Sequence, residues 1–381
     1  MSALTKIERR KFILDELKDK GRVTIDSLAK QLDCTSKTIR LDLKELERSD
    51  MITRFHGGAK SNADIGSAIV NVITSDLFNK VVHFEQKRTG KLFVFGSFNV
   101  DITSYIPHFP EPGETVRANQ VTRTSGGKGT NQAVVANKND VHVTLLVKVG
   151  NDHLNSYAKT TLKNMNFDRL FILESGDYST GLAQIQVRES DGKHNISVYL
   201  GANEQINERE LYECCELINN HDLLLVQLEN NQGATEGVLR NAHQKAIPTI
   251  LNASPFRPYA MQLLKYVDTL IADEREILQI ANLDSQPNAS ITDAIKAISA
   301  SGVKQIIVIG SDKSFWLYSE EQVEVIENQG MICMDETMIN DSFVGCFAAK
   351  LVQGKGFYQS AHEASKYIKT TFAEKKISCL A

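Results

Sequence analysis

From Leu92 to Ile309, short apolar runs alternate with stretches of helical spacing, and this alternation constrains the fold more than any other feature. The runs read "LFVFGS", "VTLLVKVG", "DLLLVQLE", "IPTILNAS", "VDTLIAD" and "QIIVIGS". A strand with one wet face would alternate polar and apolar residues. Runs that stay apolar throughout need cover on both faces. The expected fold is therefore α/β, a parallel sheet with helices on both sides. Ligands of such sheets collect beyond the carboxyl ends of the strands. The residues that follow the runs are Asn99 and Asp101, Glu229, Asn252, Asp273 and Glu276, and Gly310.

Two segments break the alternation. "TSYIPHFPEPGETVRAN" and "GLAQIQVRESDGKHNISVYLGAN" have hairpin character, the second turning at Asp191-Gly192, and fit a lid or a dimer clasp. Between them lies the glycine-rich "SGGKGTNQA" at 125–133, which lacks P-loop spacing. Gly126, Gly127 and Gly129 would let a ligand approach backbone amides, and Lys128 and Asn131 add directional donors. With Asn99, Asp101 and Glu229 they form a set suited to vicinal hydroxyls. The plain alternative is that such Asn and Asp residues only cap helices.

The first sixty residues differ in character. Residues 1–60 hold 14 Lys+Arg against 10 Asp+Glu in a chain of net charge −4, so a basic module precedes an acidic body. Ile7, Phe12, Ile13, Leu14 and Leu17 have helical spacing, and Gly21 ends that helix. "TIDSLAKQL" starts at a Thr24 cap and aligns Ile25, Leu28, Ala29 and Leu32. In the next segment Thr35 or Ser36 caps a helix whose stripe is Ile39, Leu43 and Leu46. Ser36, Lys37, Thr38, Arg40 and Lys44 then serve a DNA-facing side, and the alternating "MITRFHGGAK" reads as a wing that offers Arg54 and His56 to the backbone. A three-helix protein-interaction module with solvated charges fits the same pattern.

No apolar run approaches a membrane span, and the N-terminus lacks a signal-peptide core. Six cysteines without a CxxC pair point to neither zinc nor a disulfide framework, and a reduced cytoplasm is expected. The segments divide as 1–60, a connector at 61–90 and a body at 91–381. In the connector, Ile69, Ile73, Leu77 and Val81 recur four apart, which fits a dimerisation helix or one packed on the body.

"TSKTIRLDLKELERSDMITRFHGGA" resembles the DeoR-type winged helix-turn-helix of bacterial sugar-metabolism repressors. The match is carried by Thr35, Thr38, Ile39, Arg40, Asp42 and Leu43, with Arg54, His56, Gly57, Gly58 and Ala59 in the wing. Leu41 departs from it, standing where that family has a polar or basic residue. The body resembles ribokinase and the PfkB carbohydrate kinases through "GSFNVD", "FPEPGETV", "GGKGTNQA", Gly150-Asn151-Asp152, "GAN" (201–203), "VQLE", "LNASP", Asp273-x-x-Glu276 and "IGS". That resemblance implies a three-layer α/β/α domain with a β lid. It implies that Asn99, Asp101, Gly127, Lys128, Asn131 and Glu229 hold a pentose-like sugar and that Asp341 is the catalytic base. Asp273, Glu276, Gly310, Ser311 and Asn340 would lie on the nucleotide side, with Glu276 reaching Mg²⁺ indirectly.

The sequence "DETMINDSF" at 335–343 departs from the family's Asp-Thr-x-Gly/Ala-Ala-Gly-Asp loop. Glu336 replaces the threonine, and Met338, Ile339 and Asn340 replace small residues where amides must face a phosphoryl group. Asp273 replaces an asparagine, "GSDKSFW" lacks a second glycine, and Glu374 replaces a glycine near the nucleotide and cation sites. The expectation is a regulator that binds double-stranded operator DNA as a homodimer and senses a sugar without a cofactor. The alternative is an active kinase using ATP and Mg²⁺ that also binds DNA.

Overall fold

The computed structural model describes residues 9–61 apart from 11, 14–15, 18–19, 49–51 and 56, and residues 88–373 apart from 287 and 328–335. The connector helix expected around Ile69–Val81, as well as His56, Asp335 and Glu374, lies outside the described residues. The chain divides into two compact units, Met1–Lys87 and Arg88–Ala381.

In the first unit, Arg9, Phe12, Ile13, Leu17 and Lys20 are helical, followed by β1 (Arg22–Thr24), α1 (Ile25–Gln31) and α2 (Ser36–Arg48). β2 (Ile52–Phe55) and β3 (Gly58–Ser61) complete a three-stranded sheet of order β1-β3-β2. Thr24 caps α1 by accepting from the Ser27 amide, and Thr35 accepts from the Thr38 amide at the start of α2. Ile13, Leu17, Leu28, Leu32, Ile39, Leu43 and Leu46 close the core. Ile25 and Ala29 pack at its margin instead of inside it. Asp42, 1% exposed, ties the helices together by accepting from Arg9 and Arg10 at 3.0 and 3.3 Å.

The second unit is built on strands β4 (Lys91–Phe95), β5 (Asn99–Ile106), β6 (Gln120–Gly126), β7 (His142–Gly150) and β8 (Arg169–Ser175). It continues with β9 (Gly181–Arg188), β10 (His194–Tyr199), β11 (Leu223–Gln227), β12 (Thr249–Asn252) and β13 (Thr269–Asp273). β14 (Gln305–Ile309), β15 (Phe315–Ser319) and β16 (Gln322–Ile326) end the series. The main sheet has nine strands in the order β16-β15-β14-β13-β12-β11-β4-β7-β8. The six apolar runs are its parallel strands β4, β7, β11, β12, β13 and β14. β8 adds a parallel edge, whereas β15 and β16 return antiparallel.

Both faces are covered, as all-apolar strands require. Leu92 and Val94 of β4 pack into one core, against Phe343 and Phe347 and Ala361 and Ala364 from α5 (Glu336–Val352) and α6 (Phe357–Ala373). Phe93 and Phe95 face the other core, with Val238, Leu239, Ile277 and Ile295. Each such buried side chain stabilises the fold by roughly 1.5–3 kcal/mol. A separate four-stranded sheet, β10-β9-β5-β6, contains the second predicted hairpin as β9 and β10, with Gly192 in a left-handed turn at φ 70°; the first predicted segment, 103–119, supplies only the end of β5 and the connection to β6.

Candidate functional site

Strand order decides where the polar residues meet. From β4 the chain builds outward through β7 and β8, then crosses to the other side of β4 and lays down β11. The crevice at such a reversal is where ligands of α/β sheets bind. β4 and β11 are neighbours in register, Phe95 opposite Val226, so the segments leaving them, Ser97–Asn99 and Leu228–Glu229, emerge side by side.

Into this crevice points α3 (Lys128–Asn137). Gly127 precedes it at φ 93°, and a Cβ there would fall 2.6 Å from the Ser97 carbonyl oxygen, so only glycine allows this entry. Glu229 sits at the helix start, 5% exposed, and accepts from the Lys128 amide at 2.8 Å, from Asn99 Nδ2 at 3.2 Å and from the Ser97 hydroxyl. A carboxylate is favoured there by the helix dipole. Asn99 in turn accepts from Asn203 Nδ2 at 3.0 Å. The Asp101 carboxylate lies against Gly126, where a Cβ would come within 2.1 Å of Oδ2.

Asp341 on α5 completes the group. It is 1% exposed; Oδ2 accepts from Asn131 Nδ2 at 3.0 Å and Oδ1 from Gln132 Nε2 at 2.9 Å. Burial pushes its carboxyl above the usual range, against the pull of Lys128, Asn131 and Gln132. Lys128 experiences the opposite balance. Burial pulls its ammonium down, but Asp341, Glu229, Glu276 and Asp273 together outweigh that and leave it above the ordinary lysine value. Asn99, Asp101, Gly127, Lys128, Asn131, Glu229 and Asp341 are thus brought to one place. Sequence reasoning missed Ser97, Gln132 and Gln227, which bind the group from behind. Gln132 Nε2 also donates to Asn252 Oδ1 at 2.8 Å, and its Oε1 accepts from Gln227 Nε2 at 2.7 Å. The available signal for Gln227 was a lone amide inside the apolar "LLLVQLE".

Beside this group lies an open cleft of about 630 Å³, lined by Asp273, Glu274, Lys313, Gly310, Ser311 and Asn340 among others. Four of the residues expected on the nucleotide side therefore share one wall system. Asp273 and Glu276 are occupied locally. Asp273 caps α4 (Glu274–Ile280) by accepting from the Glu276 amide at 2.7 Å, and Glu276 accepts from the Asp273 amide at 3.0 Å. Burial, reinforced by the neighbouring Asp273 carboxylate, raises Glu276. Ser311 donates its amide to Glu274 at 3.1 Å. In the Gly310–Ser314 turn, Lys313 takes φ 66°, a left-handed geometry in the turn that lacks the family's second glycine.

The three substituted residues at the head of α5 do not act alike. The sequence reading set all three where small residues are expected beside a phosphoryl group and kept Asn340 on the nucleotide side. Ile339 instead is 0% exposed and packs into the core, and Met338 is 37% exposed. All three are helical, so no positive φ is demanded of Ile339. Of the three, Asn340 lines the cleft. Helical period is the reason, since residues 339 and 343 share the core-facing side and 340 turns away from it. Among the described residues no group of His, Cys, Asp and Glu is placed to hold a metal, and no helix is long and apolar enough to cross a membrane.

On the first unit, Lys37, Arg40 and Lys44 are exposed along α2, while Ser36 and Thr38 are partly covered. Thr38 is engaged with Thr35, whose hydroxyl lies 2.9 Å from its own. Arg54 differs from the other cations, because its guanidinium donates to Glu47 at 2.6 Å and its amide to the same carboxylate at 3.1 Å.

The pfkB family carbohydrate kinase pattern matches residues 89–368, and that of the DeoR-like helix-turn-helix domain matches residues 9–64. The chain belongs to the pfkB family of carbohydrate kinases, with a DeoR-like helix-turn-helix domain ahead of the kinase-like one. The ribokinase of Staphylococcus aureus (strain COL) is 26% identical over 264 residues, covering 69% of this chain and 86% of that protein. The deoxyribokinase of Salmonella typhi is 27% identical over 265 residues, covering 68% and 85%. Among solved structures, the Arabidopsis thaliana ribokinase complexed with ribose and ATP superposes with a TM-score of 0.62 at 25% identity, covering 73% of this chain and 90% of that one.

Proposed function

We propose that this chain is a transcriptional regulator of a sugar-utilisation operon, in which residues 1–60 bind double-stranded operator DNA and residues 91–381 sense a pentose-like sugar. Residues 61–90 connect them, and the working form is a homodimer on two half-sites. The relatives named ribokinase and deoxyribokinase support a pentose as the ligand class. Asn99, Asp101, Lys128, Asn131 and Glu229 grip its hydroxyls, and Asp341 accepts one of them.

A single observation carries the sensor reading: the polyol-side group is bonded across β5, α3, α5 and the segment after β11, whereas Asp273 and Glu276 on the nucleotide side bond chiefly to each other in a helix cap. Asp273, Glu274 and Asp284 set three carboxylates against the two cations, Arg275 and Lys313, in the cleft where a triphosphate would lie, and Asn340 faces the same cleft. These residues do not fit ATP and Mg²⁺ well, and no step through them is assigned. Sugar binding then acts by shifting the DNA-binding equilibrium, for which a coupling of about 5–150-fold is typical.

The second reading, a kinase that also binds DNA, is favoured by Asp341, which stays poised between Lys128 and the polyol group. The two are separated by assaying the full chain for ADP release with ATP, Mg²⁺ and ribose or deoxyribose, beside a thermal-shift titration with each sugar alone. The sensor reading expects a sugar-dependent shift without turnover. Turnover of about one per second or more, within the ordinary enzyme range, overturns it.

A further inference from the structure

Leu41 is 57% exposed, the most exposed large apolar residue in the first unit's described part. It lies on α2 between Lys37 and Lys44, one residue after Arg40. At 3.6 residues per turn, positions 37, 40, 41 and 44 fall within about 100° of arc. The buried Ile39, Leu43 and Leu46 lie on the opposite side. An apolar side chain is thus framed by three exposed cations on the one helix face that the core does not use. No ion pair among the described residues engages those cations. A protein partner for a face of this charge would have to be acidic. A DNA major groove supplies both halves of the match, phosphates at its rim and an apolar group on its floor, the thymine C5-methyl.

Resting on the DNA-binding reading above, we propose that Leu41 is a specificity-determining residue that contacts a thymine methyl group in each half-site, with Lys37, Arg40 and Lys44 holding the helix in the groove. A charged residue at this place would add a phosphate or guanine contact, so Leu41 exchanges general affinity for discrimination of thymine. At 57% exposure and outside the core, it can be replaced with little disturbance of packing.

The test begins by selecting duplexes from a randomised pool with the full chain. Each thymine of the enriched duplex is then replaced by deoxyuridine, which lacks only the methyl group, and binding is followed by fluorescence anisotropy at fixed salt. Deoxyuridine at one position per half-site should weaken the native chain by about four-fold, the effect of one buried methyl group. Leu41→Ala should bind the thymine and deoxyuridine duplexes equally. An equal deoxyuridine penalty in Leu41→Ala, or no penalty at any position, overturns the assignment while leaving DNA binding intact. A native chain that enriches no duplex overturns the DNA-binding reading, and this assignment with it.

Discussion

Asp341 and Glu276 are both buried acids, 1% and 9% exposed, and burial raises both carboxyls. They differ in what satisfies them. Asp341 receives amide donors from Asn131 and Gln132, which lie 210 and 209 residues away in sequence. Glu276 bonds to the amide of Asp273, three residues away, and faces that residue's carboxylate. Lys128 attracts both carboxylates, but Asp341 is held by donors that only the tertiary fold brings to it. Glu276 completes a helix cap, with Ser254 as a further side-chain partner. A polar group assembled from distant segments requires the whole fold to be right, whereas a capping box requires a single turn.

The contrast can be broken most sharply by deleting one acid on each side. Glu229→Ala leaves the Ser97 hydroxyl, the Lys128 amide and the Asn99 side chain without their acceptor. It should cost about 3 kcal/mol or more in urea unfolding of the second unit, since each buried orphan costs roughly 1–3 kcal/mol. Glu276→Ala removes half of a capping box and should cost only about 1 kcal/mol. If the two losses are equal or reversed, the distinction between an assembled and a local site fails.

The head of α5 offers a second comparison. Ile339→Ala opens a cavity in the core and should destabilise by about 2–4 kcal/mol. Asn340→Gly only alters the cleft wall, and should leave sugar affinity unchanged by calorimetric titration. A loss of sugar binding in Asn340→Gly would join the two sides that the geometry separates.

A pH series sharpens the comparison further. Glu276 has a folded pKa above its unfolded value, so the native state holds the proton more tightly. Its contribution is therefore present at low pH and is lost as pH rises through the folded pKa. Glu276→Gln should accordingly melt higher than the native chain at neutral pH, and the gap should vanish as pH falls below about 4.5, the ordinary glutamate value. A gap that persists in acid would mean that packing, and not ionisation, sets the difference.

The smallest expected effect concerns the first unit. Lys37→Ala and Arg40→Ala should each lower the salt slope of operator binding by about one. Arg54→Ala should lower it less, because Glu47 already holds the guanidinium. An equal loss at Arg54 would show that the ion pair opens on DNA.

Much of this was readable before any coordinates. The six parallel strands announced themselves because a strand buried on both faces has no polar alternation to blur it. Thr24, and Thr35 as one of two candidates beside Ser36, were legible as caps because a cap is a contact between near neighbours. β8, "RLFILES", ends in charged and polar residues at a sheet edge and is only partly buried, so its pattern is weak. β1 has three residues and exists by pairing with β3, Arg22 opposite Lys60. Nothing local announces such a strand.

The sequence by itself determined the six central strands, the helices of the first unit, the two-unit organisation and the identity of the polar groups at the strand ends, because these follow from periodicity and near-neighbour chemistry. Only the tertiary structure decided which of those groups meet. Crossing from β8 to β11 brings Glu229 beside Asn99, and the packing of α5 turns Ile339 to the core, Asn340 to the cleft and Asp341 to Asn131. Consecutive helical residues point about 100° apart, and the sequence cannot say which direction is inward until the neighbouring layers are in place.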